Sequence, residues 1–179
     1  MRVFVAVEIS DNKILKNIET FQKNVQINAK STKINQMHFT LKFLGEIDQE
    51  KCEQVKSVIK KISFSSFNIS LKSVGGFPNL KNPRVIWIGI DSNGGEKLTT
   101  ISNEIGMKLT TLGFENDKKF KPHLTVFRAR NKINDISVMM KEYQTVEFGT
   151  QTVSKIKVKR SVLSPKGPEY SDLLEVNAK

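Results

Sequence analysis

The sequence predicts an α+β fold of two pseudo-symmetric β-α-β-α-β lobes around a central cleft, and two repeats carry that expectation. The run Arg2 to Ser10, RVFVAVEIS, returns as Arg84 to Ser92, RVIWIGIDS. The chain's two histidines each open the same tripeptide, His38-Phe39-Thr40 and His123-Leu124-Thr125. Arg2 precedes His38 by 36 residues and Arg84 precedes His123 by 39. Internal repetition on this scale signals a duplicated supersecondary unit.

Taken in order, each opening run is β-branched and aromatic, as a buried strand requires. A polar segment with helical apolar spacing follows each one: Ile14, Ile18, Phe21 and Val25 in the first half, Leu98, Ile101, Ile105 and Leu109 in the second. The strand-like stretches MHFTLKFLG and PHLTVFRA come next. Beyond His38, QEKCEQVKSVIKKI reads as a second amphipathic helix and FNISLKSVGGFP as a strand. Beyond His123 come the shorter helical stretch DISVMMKEYQ, then TVEFGT and the alternating VSKIKVKRSVL. Gly and Pro density marks Gly75 to Pro83 as the join, with Gly75-Gly76 and Gly94-Gly95 read as turns. A lobe of roughly 80–90 residues has a thin core alone, so residues 1–179 are expected to form one bilobal domain. Its lobe-like repeats run about 1–78 and 84–165, and the pattern permits exchange of terminal strands.

Composition narrows the chemistry. Lys and Arg number 29 against 18 Asp and Glu, a formal net charge of +11, which favours polyanionic partners. Alternation in KIKVKR puts Lys155, Lys157 and Lys159 on one strand face, a plausible phosphate track. The single cysteine, Cys52, excludes an internal disulfide and fits a reducing compartment. The opening strand lacks a signal-peptide layout, and no apolar run approaches a membrane span. A soluble, cytoplasmic protein is expected. Two histidines and one remote cysteine are a poor supply for a zinc site, and no Walker-type loop suggests ATP. A Ser-His-Asp triad would leave the second matched histidine unexplained.

Side chains alternate faces along a strand, so His38, Thr40 and Lys42 are expected on one face, with Phe39, Leu41 and Phe43 on the other. His123 and Thr125 likewise share a face. Two such faces lining one cleft would offer two imidazoles for proton transfer and two hydroxyls for the oxygens of a tetrahedral anion. Thr is 11 of 179 residues, so Thr two positions after both histidines arises by chance in roughly 0.4% of cases, which makes the pair informative. Lys42 lies about 13 Å along the strand from His38, a position for meeting a bound polyanion chain, or for a solvated lysine at the cleft rim, rather than for the reacting atom. Phe77 and Tyr170 are candidates for stacking on a base or for packing.

The chain resembles the two-histidine (2H) phosphoesterases, and within them the RNA 2′,3′-cyclic phosphodiesterases, also called 2′-5′ RNA ligases. The resemblance runs through RVFVAVE, HFTLKFLG, GGFP…PRVIWIGI, KPHLTVFRAR and SVLSPKGPEYSDL. It implies hydrolysis of RNA 2′,3′-cyclic phosphate ends to 2′-phosphomonoesters, without metal or other cofactor. It further implies His38 as proton donor and His123 as proton acceptor, a division that near-symmetry hides in the sequence. Thr40 and Thr125 would hold the non-bridging phosphate oxygens. Arg128 corresponds to an arginine five residues after the second family histidine; in a straight strand it would face away from His123, so either the strand ends or bulges there, or Arg128 serves structure rather than substrate.

The expected partner is RNA with cyclic phosphate ends, tRNA fragments included, bound by a monomer. Two alternatives stay open: ATP-independent 2′-5′ RNA end joining by the same site, and a non-catalytic RNA-binding module.

Overall fold

Each apolar run becomes a strand of one antiparallel sheet in the computed structural model, which describes residues 1–115, 119–165 and 167–179. In chain order the elements are β1 (Arg2–Glu8), α1 (Asn12–Asn24), β2 (Lys30–Ser31), β3 (His38–Glu46), α2 (Gln49–Ile59), β4 (Phe67–Phe77), β5 (Val85–Ile90), α3 (Ser92–Leu109), β6 (Leu124–Arg128), α4 (Ser137–Met140), β7 (Glu147–Val153), β8 (Lys155–Ser164) and β9 (Gly167–Asn177). The strand order is β7-β4-β5-β6-β3-β1-β8-β9, with β2 pairing separately to β6.

Counted outward from the β3–β6 centre, the sheet is a pseudo-twofold: β1 matches β5, β8 matches β4, and β9 matches β7. The matching crosses the sequence halves. β4 follows the first histidine strand yet pairs with β5, whereas β8 crosses back to pair with β1. The two lobes therefore interlock through exchanged strands.

Helices cover one face. Three long helices begin on an aspartate that accepts a backbone N–H of the first turn: Asp11 from Ile14, Asp48 from Lys51 and Asp91 from Gly94. Their apolar stripes meet the sheet, α1 against β7 and α3 against β3 and β4, while α2 lies on α3. Phe39, Leu124, Ile18, Ile105 and Val126 are all fully buried between these layers. The opposite face, free of helices, is left for chemistry.

Four expectations need correction. DISVMMKEYQ yields only the four-residue α4 and a single 3₁₀ turn, 141–143. Ile136 and Met140 bury at i, i+4 spacing, but Val138 is exposed and no side chain caps the start, so no stripe sustains a longer helix. Gly94 and Gly95 lie in the first turn of α3 rather than in a turn between elements, and Gly94 lets the helix approach Ile69 of β4. Gly75 and Gly76 lie inside β4. Finally, β9 is a full strand that periodicity did not reveal. It is a sheet edge paired on one side only, to β8, so its burial lacks clean alternation.

Gly75 is a close-approach glycine, because the Trp87 indole lies against its backbone. A Cβ there would sit 2.2 Å from Trp87 Cζ2. Gly75→Ala should cost about 1–3 kcal/mol through forced displacement of the ring, measured as a lowered urea midpoint; an unchanged midpoint would show that the ring moves freely.

Candidate active site

The site is built on one backbone pairing. Phe39 of β3 pairs with Leu124 of β6, antiparallel, and both side chains are fully buried on the helix side. Their neighbours must then face the opposite way. Extended by one residue each way, the same register brings His38 toward Thr125 and Thr40 toward His123. These four side chains line one cleft of about 260 Å³.

Matched bulges extend the arrangement. Along β3, Val5 pairs with Lys42 and Ala6 with Thr40, so Leu41 is the extra residue. Along β6, Ile86 pairs with Phe127 and Trp87 with Thr125, so Val126 is the extra residue. Each extra residue lies three beyond a histidine, and each flips the faces of the residues after it. The fifth residue after each histidine is thereby returned to the cleft: Arg128 in one lobe and Phe43 in the other, both lining it. Arg128 thus lines the cleft that holds the histidines.

The bulge on β3 corrects two expectations. Phe43, expected to bury against helices, is 67% exposed at the cleft. The sequence did carry a signal, since Phe43 and Arg128 stand at the same offset in the two motifs. Lys42 is turned off the His38 face; its cross-strand partner Val5 is fully buried. Its Nζ donates to the Glu115 carbonyl at 2.6 Å, and it lines a neighbouring cavity that His123 also borders, outside the cleft that holds both histidines.

Both imidazoles are held alike. Nδ1 of His38 lies 2.7 Å from the Gln36 carbonyl, and Nδ1 of His123 lies 2.6 Å from the Lys121 carbonyl. A carbonyl only accepts, so each Nδ1 carries the proton and Nε2 is the atom available to a ligand. Burial lowers the pKa of both rings below the ordinary histidine value. The carbonyl bonds oppose that shift, and the Arg128 charge reinforces it at both rings.

Their surroundings differ behind this shared frame. His38 packs on Phe4 and meets Tyr170 edge-on, with centroids 5.0 and 5.4 Å away. Behind them, Lys157 and Lys159 each bridge Glu8 and Asp172. Burial pushes the Glu8 and Asp172 carboxyls up, but hydrogen bonds from these two lysines outweigh it and hold both below their ordinary value. His123 instead meets Phe77 edge-on at 5.0 Å, and Phe77 leans on Trp87. Trp87 Nε1 is buried with no hydrogen-bond partner among the described residues. Tyr170 therefore lines the cleft, whereas Phe77 backs the second histidine.

The expected phosphate track on β8 is corrected here. Lys155 pairs with Glu175, while Lys157 and Lys159 are taken by Glu8 and Asp172, and Lys159 is 5% exposed. Alternation placed these lysines together, but β1 and β9 bring carboxylates to them. Among the described residues, no three His, Cys, Asp or Glu side chains converge as a metal site requires.

Comparison with known proteins shows the family and the fold. The model of the AKAP7 2′5′ RNA ligase-like domain matches residues 2–173. An RNA 2′,3′-cyclic phosphodiesterase of Archaeoglobus fulgidus is 38% identical over 97% of this chain and 98% of that protein. Its namesake from Methanocaldococcus jannaschii is 36% identical over 98% and 99%. The crystal structure of TT0787 of Thermus thermophilus superposes with a TM-score of 0.81 at 26% identity, covering 99% of this chain and 97% of that one. Escherichia coli LigT in its apo form, at 20% identity and TM-score 0.79 over 99% and 97%, shares the fold.

With only two histidines in the chain, their titration is directly readable by NMR. Both should titrate below about pH 6.5, and Arg128→Ala should raise both, because its charge disfavours both imidazolium forms. A shift confined to one ring would mean that Arg128 stands beside one histidine alone.

Proposed function

The chain belongs to the AKAP7 2′5′ RNA ligase-like domain family, and on that premise we propose that it hydrolyses RNA 2′,3′-cyclic phosphate ends to 2′-phosphomonoesters by metal-free acid–base catalysis. The observation that carries this reading is the convergence of both His-x-Thr motifs on one cleft face, each imidazole anchored through Nδ1.

The steps balance without a cofactor. Neutral His123 takes a proton on Nε2 from a water whose oxygen attacks phosphorus. The P–O3′ bond breaks as protonated His38 delivers its Nε2 proton to the departing O3′. Exchange of protons with solvent restores the starting forms. Thr40 and Thr125 donate to the non-bridging oxygens, and Arg128 neutralises charge as the five-coordinate centre forms. Phe43, exposed beside these groups, offers a face on which the terminal base can stack. The Lys157–Lys159–Glu8–Asp172 cluster lies behind His38 and has no counterpart behind His123. That difference supports unequal roles for two otherwise matched histidines.

The proposal includes a monomeric, cytoplasmic enzyme whose bilobal unit is residues 1–179. The cleft is assembled from one chain, and no helix among the described residues is long and apolar enough to cross a membrane.

The test uses a short RNA ending in a 2′,3′-cyclic phosphate, incubated with excess EDTA, with the product isomer identified. Full turnover to the 2′-phosphate is expected. His38→Ala and His123→Ala should each lower kcat by on the order of 10²–10⁴ while RNA still binds. Since both rings titrate low, the bell of kcat/KM against pH should centre on the acid side of about 6.5. Activity abolished by EDTA would sink the metal-free mechanism, and tight binding without any turnover would leave an RNA-binding module.

A further inference from the structure

The catalytic cleft, at about 260 Å³, is at the small end for holding even one small ligand. An RNA end must therefore leave it along a second surface. Three neighbouring cavities differ in charge. The one behind His38 carries the Glu8 and Asp172 carboxylates against the single cation Lys159. The one beside Trp87 carries Asp91 and Glu96. Among the described residues, neither offers an unpaired cation to a phosphate chain.

The remaining cavity has the opposite character. It encloses about 780 Å³ and shares Thr40, Phe43 and His123 with the catalytic cleft. It opens because β3 and β6 pair only at Phe39 and Leu124, so the segment leading into β6 diverges from β3. Phe114 and Phe120 line it with Lys42, Lys119 and Lys121, opposed among the described residues by one carboxylate, Glu115. Lys119 and Lys121 are exposed, and both phenylalanines are half-buried. Aromatic faces with interspersed cations are what sequence-tolerant binding of single-stranded nucleic acid requires.

We propose that this cavity is the subsite for the single-stranded RNA immediately upstream of the reacting nucleotide, a reading that rests on the proposed function. Bases lie against Phe114 and Phe120, and the backbone phosphates run past Lys119 and Lys121. Phe43, common to both cavities, marks the passage between the reacting nucleotide and its neighbour. The enzyme is thereby specific for RNA ends over free cyclic mononucleotides.

The experiment compares a hexaribonucleotide ending in a 2′,3′-cyclic phosphate with 2′,3′-cyclic AMP. Lys119→Gln and Phe114→Ala should each lower kcat/KM for the hexamer by on the order of tenfold, leaving cyclic AMP within about twofold. Lys119→Gln should also reduce the slope of log affinity against log salt by about one. Equal losses on both substrates in Lys119→Gln, or no loss on the hexamer, would overturn the subsite. Anisotropy with an unreactive hexamer separates the two readings. If the wild type turns over neither substrate yet Lys119→Gln still flattens the salt slope, the catalytic reading falls and the subsite stands; an unchanged slope removes the subsite.

Discussion

The antiparallel pairing of Phe39 with Leu124 is the contact on which the site depends. Both side chains are driven into the helix-covered core, and each is flanked by a histidine and a threonine. Burying the middle residue of each tripeptide turns its neighbours out. The register then brings each imidazole toward the other motif's hydroxyl. Three of the four groups stand on β3 and β6 and the fourth, His123, immediately precedes β6, so the sheet sets their spacing. The hydrophobic effect that folds the core also positions the cleft.

Symmetry stops one turn of the pleat later. Equivalent bulges at Leu41 and Val126 re-aim the strands in the same way, but the residues they return to the cleft are Phe43 and Arg128. A duplicated frame thus presents an aromatic face on one side and a guanidinium on the other. The walls diverge too, with buried lysine–carboxylate pairs behind His38 and an aromatic stack on glycine behind His123. The two rings thus share a frame but not their surroundings, and different neighbours set their proton affinities.

Charge is sorted by location rather than by sequence. The chain carries a net charge of +11, yet the alternating lysines of β8 are taken up in ion pairs within the fold. Lys155, Lys157 and Lys159 meet carboxylates from β1 and β9. Arg128 faces solvent in the cleft itself, and Lys119 and Lys121 do so on the segment before His123. Long-range attraction of a polyanion draws on the whole surface, but local binding draws only on cations that no carboxylate has claimed.

The duplicated lobes, the strands and helices that build them, and the four motif residues are legible in the amino-acid order. Those are properties of short-range periodicity: alternation sets which side of a strand a histidine takes, and a repeated tripeptide shows that two are matched. Folding was needed to bring Arg128 and Phe43 into the cleft and to turn Lys42 out of it. The neutralisation of the β8 lysines and the exchange of β4 and β8 between lobes likewise emerge only in three dimensions. The reason is physical. A bulge is set by the partner strand, and a lysine's availability by whichever carboxylate folding brings to it. Neither partner is a sequence neighbour: Glu8 stands 151 residues from Lys159, and Leu124 is a distant segment's answer to Phe39.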